Sequence, residues 1–137
     1  IEFFAGHAAK EMRKEDDETL INSLYFSDVV VASPTSILLD AALFDKPVVA
    51  NNIYPTPRHF FETTFPYKFD HIKKFLSAGG ARYVETKDAL LKAVNDYLEN
   101  PALDAAGREK VRSMWFSRVD GKSSLRIADF IVSFIST

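Results

Sequence analysis

The chain contains no cysteine. Disulfides and thiolate metal sites are therefore excluded, and the composition fits a reducing compartment, so a cytoplasmic protein is expected. Glycine is scarce, at five in 137 residues, and neither a G-x-G-x-x-G fingerprint nor a P-loop lysine occurs. Any phosphate binding must then rely on hydroxyls and helix termini. Basic residues are not in excess either: 17 Lys and Arg stand against 19 Asp and Glu, for a net charge of −2. Such a chain lacks the broad positive field that nucleic-acid phosphates require, and nucleic acid is not expected as a partner. No apolar run approaches the ~20 residues that a membrane-spanning helix needs.

What is present suits a packed α/β domain. With 47% hydrophobic and 26% charged residues, the chain has enough apolar side chains for a core, and its length suits a single domain over 1–137. The opening Ile1-Glu2-Phe3-Phe4 is neither a signal peptide nor an initiator methionine, which leads to the expectation of a further lobe upstream. The mixed-charge run Lys10 to Glu18 reads as a solvated surface loop before a short helix carrying Leu20, Ile21, Leu24 and Tyr25.

Asp28-Val29-Val30-Val31-Ala32 is a β-branched run of the kind buried on both faces of a parallel sheet. Thr35 to Phe44 follows with helical periodicity, and Pro47-Val48-Val49-Ala50 supplies a second strand. Between Asn51 and Phe69, three prolines and a crowd of aromatics predict a long loop with short helices. The aromatics are read as core filling, the other option being stacking on a base or contact with a membrane carrying a lipid-linked acceptor. His71 to Leu76 predicts a helix stopped by Gly79-Gly80, then a strand Ala81 to Val84. Three more helices are expected: one capped by Thr86, one over Leu103 to Phe116, and one after Asp120-Gly121 holding Leu125, Ile127, Ala128, Phe130, Ile131 and Phe134. The pattern implies an α/β fold with a Rossmann-like parallel sheet and flanking helices.

In such sheets, ligands bind beyond the carboxyl ends of the strands. Ser33-Pro34-Thr35-Ser36 occupies a strand-to-helix junction, with Ser33 as the expected N-cap and Pro34 at the first helical position. Thr35 and Ser36 would offer donors to a phosphate, or the segment simply starts a helix. Asp40, alone among apolar neighbours, would accept hydrogen bonds from ribose hydroxyls or from the next loop's backbone. Asp120-Gly121-Lys122-Ser123-Ser124-Leu125-Arg126 is a second polar turn opening a helix. Arg58 and His59 are adjacent groups able to meet a phosphate, whereas His7 and His71 receive no role. The dispersed carboxylates and histidines suggest neither a metal nor a cofactor.

Two of these segments carry a resemblance. Ser27 to Asp40, followed by Lys46-Pro47-Val48-Val49, is similar to the CDP-glycerol glycerophosphotransferases, in which an aspartate-started strand ends in a Ser-Ser turn before a helix with an internal aspartate. Asp120 to Ile127 resembles that family's closing Asp-Gly-Lys-Ala-Ser-x-Arg motif, about 85 residues later. The resemblance implies the C-terminal, nucleotide-binding part of a GT-B-type lobe, with the donor held here and a polymer or lipid-linked acceptor approaching from the other lobe. It also implies a donor diphosphate held by Thr35, Ser36, Ser123 and Ser124, with Ser33, Asp40, Asp120, Lys122 and Arg126 around it and the two turns converging on one anion. Ser33-Pro34 replaces the family's Asp-Tyr, and Asn51-Asn52-Ile53-Tyr54 replaces an aspartate-bearing turn. These departures leave the donor open between CDP-glycerol and a nucleotide sugar. The remaining alternatives are a non-catalytic α/β interaction module and an epimerase-like lobe.

Overall fold

The computed structural model describes residues 13–56, 58–63 and 65–135. Three short parallel strands form the sheet: β1 (Val30–Ala32), β2 (Val48–Asn51) and β3 (Arg82–Val84), in the order β1-β2-β3. Val30, Val31 and Ala32 lie opposite Val48, Val49 and Ala50, while Ala50 and Asn51 lie opposite Tyr83 and Val84. The helices are α1 (Lys14–Phe26), α2 (Ile37–Leu43), α3 (Phe60–Thr63), α4 (Asp70–Ser77), α5 (Lys87–Glu99), α6 (Ala105–Trp115) and α7 (Ser123–Ile135), with a 3-10 turn at Phe65–Lys68. This is the α/β, Rossmann-like arrangement that the alternating pattern implies. Among the described residues no helix is long and apolar enough to cross a membrane.

Because successive strands are neighbours, the right-handed crossovers through α2 and α4 fall on one face of the sheet. That face holds the larger core, where Leu38, Ala41 and Ala42 of α2, Ile72 and Phe75 of α4, and Val111 of α6 meet Val48 and Ala50. The opposite face is covered by α5, whose Ala93 and Tyr97 pack on Val49 and Val84. Each fully buried Leu, Val or Phe here stabilises the fold by about 1.5–3 kcal/mol.

Burial on both faces belongs to β2, whose Val48, Val49 and Ala50 are all buried, and not to β1 as expected. β1 is shorter than the Asp28–Ala32 run and lies at the sheet edge, with Val31 45% exposed. The expected surface loop over the charge run is also corrected. From Lys14 onward the run is the first turn of α1, where Glu15, Asp16 and Asp17 complement the positive helix end. Residues 10–12 of that run lie outside the described residues.

Glycines fix one close approach. Gly79 ends α4 at φ 85°, and a Cβ placed on Gly107 would lie 2.1 Å from the Gly79 carbonyl oxygen. The end of α4 therefore touches the start of α6 backbone to backbone. Thr86 caps α5 as expected, accepting a hydrogen bond from the Ala89 N–H at 3.2 Å. A buried arginine then ties α6 to the end of α2: Arg108 donates to Asp45 at 2.9 Å and to the carbonyls of Leu103 and Pro101 at 2.6 and 2.9 Å. Arg112 meets the same Asp45 oxygen at 2.6 Å. Burial alone would raise the Asp45 pKa, but the hydrogen bonds from Arg108 and Arg112 outweigh it and hold the carboxyl below its ordinary range.

Candidate functional site

The strand-to-helix reversal after β1 uses Ser33, Pro34 and Thr35, so α2 opens later than expected. Ser36, not Ser33, occupies the N-cap position, with φ −57° and ψ −23° and no side-chain cap hydrogen bond. Pro34 accordingly precedes the helix. Thr35 and Ser36 carbonyls close the first turn by accepting from Leu38 and Leu39 at 3.2 and 2.9 Å. The Ser33 carbonyl accepts the Thr35 hydroxyl at a long 3.5 Å. The Ser36 hydroxyl and the backbone N–H groups of Thr35, Ser36 and Ile37 have no partner among the described residues. Donors remain available at the carboxyl end of β1, where this class of sheet holds its ligands.

A cavity of about 190 Å³ opens between α2 and α4 at this point. Buried Leu38, Ile72 and Phe75, with half-buried Leu39, form its floor, and exposed Thr35, Ser36 and His71 form its rim. His71, to which the sequence assigns no role, stands on this rim. The signal lay in topology: consecutive right-handed crossovers both start at the carboxyl edge, so the first turn of α4 must neighbour the first turn of α2.

Asp40 is half-buried, and its carboxylate accepts no hydrogen bond among the described residues. The following loop is closed by helix carbonyls, with Lys46 N–H donating to Ala41 at 2.9 Å and Asp45 N–H to Ala42 at 3.1 Å. The expected alternative of Asp40 bonding that loop's backbone is thereby overturned, because the loop's N–H groups are already taken.

The second polar turn is built differently. Asp120 accepts the Lys122 N–H at 3.0 Å and pairs through both oxygens with Arg126 Nη1 at 2.9 and 2.8 Å. Arg126 Nη2 also donates to the Ser123 hydroxyl at 3.1 Å, while Lys122 and Ser124 are exposed. The Lys122 N–H, followed by Arg126, holds the Asp120 carboxyl below its usual range. No hydrogen bond or ion pair among the described residues links this turn to the one before α2.

In the aromatic segment, Arg58 sits 5.3 Å above the Tyr54 ring, and His59 stacks on Phe61 at 5.4 Å. The run continues from Phe61 to Phe65 and Phe69 and ends with His71 stacked on Phe69 at 5.7 Å. Phe60, Phe61, Phe65 and Phe69 are all exposed, which corrects the expectation of core filling. The short α3 and the 3-10 turn keep this segment on the surface, where its rings pack on one another. Tyr67 alone turns inward, donating to the Asn51 carbonyl at 2.6 Å. Burial, then the neighbouring Tyr83, raises its pKa.

At the carboxyl ends of β2 and β3, Asn52 Nδ2 donates to the Tyr83 hydroxyl at 2.8 Å, and that hydroxyl donates to Glu85 at 2.6 Å. Burial and the Glu85 contact push Tyr83 up to about 12. Asn52 Oδ1 is buried with no partner. This network went unread in the sequence, although Asn52 and Glu85 each directly follow a strand.

A family model described as CDP-glycerol:poly(glycerophosphate) glycerophosphotransferase matches residues 7–133. Neither the curated proteins nor the solved structures give a match. The family match runs from before α1 to within the last turns of α7 and includes both polar turns. The chain thus belongs to the CDP-glycerol:poly(glycerophosphate) glycerophosphotransferase family.

Proposed function

We propose that this chain is the donor-binding part of a two-lobed, GT-B-type transferase that moves glycerol phosphate from CDP-glycerol onto a polymer acceptor presented by another lobe. The observation that carries the reading is the rim of Thr35 and Ser36 at the carboxyl end of β1, where donors, and Asp40 in the following helix, have no partner among the described residues. Hydroxyls and backbone N–H groups suit the diphosphate, and Asp40 suits the ribose hydroxyls. Ser33, Ser123, Ser124, Lys122, Asp120 and Arg126 complete the donor site if the second turn closes over it, and Arg58 and His59 reach it from the aromatic segment.

An acceptor hydroxyl oxygen attacks the phosphorus that bears glycerol. A new P–O bond forms, the bond to the cytidine monophosphate oxygen breaks, and the hydroxyl proton passes to a base outside this lobe. The donor-side residues act by position and by stabilising the leaving phosphate's growing charge. Residues 1–137 alone therefore bind donor with little turnover.

Calorimetric titration of the full protein with CDP-glycerol, CDP, UDP and a UDP-sugar tests the reading. Preferred binding of the cytidine compounds is expected. Preference for the UDP compounds would make the donor a nucleotide sugar, and a flat response to all four would leave an interaction module.

A further inference from the structure

We infer that His71 is a phosphate-binding residue of the donor site, meeting the donor's phosphates across the cavity from Thr35 and Ser36. The inference rests on the donor-site reading above and adds to it a group from a different helix. Three facts about the ring support it. His71 shares the cavity rim with the two hydroxyls. Its imidazole lies nearly parallel to the Phe69 ring, with centroids 5.7 Å apart and an interplanar angle of 11°. Neither ring nitrogen has a partner among the described residues. The Phe69 contact orients the ring while leaving its in-plane N–H free, which suits a directed hydrogen bond to an oxyanion.

The cavity itself decides which part of a donor belongs there. Leu38, Ile72 and Phe75 offer the floor no hydrogen bond, so an anion forced among them would lose its hydration without return. The phosphate oxygens must stay at the rim, where Ser36, Thr35 and His71 are exposed to water. On its other side His71 borders a shallow groove with Asp70, Lys74 and Trp115. Lys74, which shares that groove with His71, is a rival for the same anion.

The test is calorimetric titration of the full protein with CDP and with cytidine, using His71→Ala, His71→Gln, Ser36→Ala and Lys74→Ala variants. His71→Ala is expected to weaken CDP about tenfold, the scale of one hydrogen bond to phosphate, and to leave cytidine unchanged. His71→Gln, which keeps an N–H donor, should recover part of the loss. Melting temperatures should match the parent, because the residue is exposed. Unchanged CDP affinity in His71→Ala beside a loss in Ser36→Ala would overturn the role of His71 and keep the α2 turn as the site. A loss in Lys74→Ala instead would move the phosphate to the neighbouring groove and also overturn it. No CDP binding by the parent protein would remove the donor-site reading and this inference together.

Discussion

Two polar turns that look alike in sequence behave oppositely in the fold. The turn at Ser33–Ser36 opens a helix that buries Leu38, Ala41 and Ala42, and it leaves the Ser36 hydroxyl and three backbone N–H groups without a partner among the described residues. The turn at Asp120–Arg126 opens a helix with no buried residue, and it satisfies Asp120, Arg126 and Ser123 among themselves. A packed helix holds its first turn in place for a ligand, whereas a self-bonded turn must give up internal bonds before it can hold one. The difference lies in which donors remain free, and a motif match does not report that.

The widest separation between the two regions is expected in stability. Leu38→Ala should cost about 2–5 kcal/mol by leaving a cavity in the main core, whereas Phe130→Ala, on a side chain 64% exposed, should stay within about 0.5 kcal/mol. Chemical denaturation of both variants checks this. A large loss in Phe130→Ala would mean that α7 has a packing partner, and the contrast between the helices would collapse. Next in size is Arg108→Ala, expected to cost about 3 kcal/mol because it strands two backbone carbonyls and half of the Asp45 contact. Stability should also fall in acid: Asp45, with its pKa depressed in the fold, contributes fully above the unfolded carboxyl value and loses that contribution as pH drops through the folded one. Arg108→Ala should flatten this acid dependence.

Much of the architecture was legible because it is written locally. The Val48-Val49-Ala50 run, the Thr86 cap and the Gly79 stop each specify an element through a few adjacent residues. The edge position of β1 was not, since Val29-Val30-Val31 has the composition of a central strand and its neighbours are set by topology alone. Arg108 has the residue type of a surface position on a polar helix, yet it is 3% exposed because Asp45, 63 residues earlier, and the nearby carbonyls of Pro101 and Leu103 receive it. Thr35, Ser36 and Asp40 were found as candidates from the strand-to-helix junction. His71 escaped because its neighbour across the cavity is the first turn of another crossover, 35 residues earlier at Ser36.

Binding separates the turns on a smaller scale. Ser36→Ala should weaken CDP-glycerol binding by about 1–3 kcal/mol, the range for a hydrogen bond to a charged group. Ser124→Ala tells whether the second turn takes part. If both turns grip one diphosphate, the double variant departs from additivity. Strict additivity with no loss in Ser124→Ala confines the donor to the α2 turn.

The smallest expected effect concerns the Asp120–Arg126 pair, and it tests whether that turn is truly closed on itself. Two groups hold the Asp120 carboxyl below the ordinary value of about 3.9: the Lys122 N–H first, then Arg126. A depressed pKa means that the pair's support is present above the unfolded value and is lost as pH falls through the folded one. Carboxyl NMR titration of Asp120 should therefore show a low midpoint in the parent. Arg126→Ala should move it up part of the way, because the Lys122 N–H stays in place, and Arg126→Lys should restore less than the full shift, since an ammonium cannot offer the guanidinium's fixed fork. Because the site is open to water, salt should shrink the Arg126 component and leave the backbone component nearly intact. A midpoint that ignores Arg126→Ala would mean the guanidinium is free in solution. The second turn would then have a cation to offer a phosphate, and the contrast with the α2 turn would narrow to the packing of the two helices.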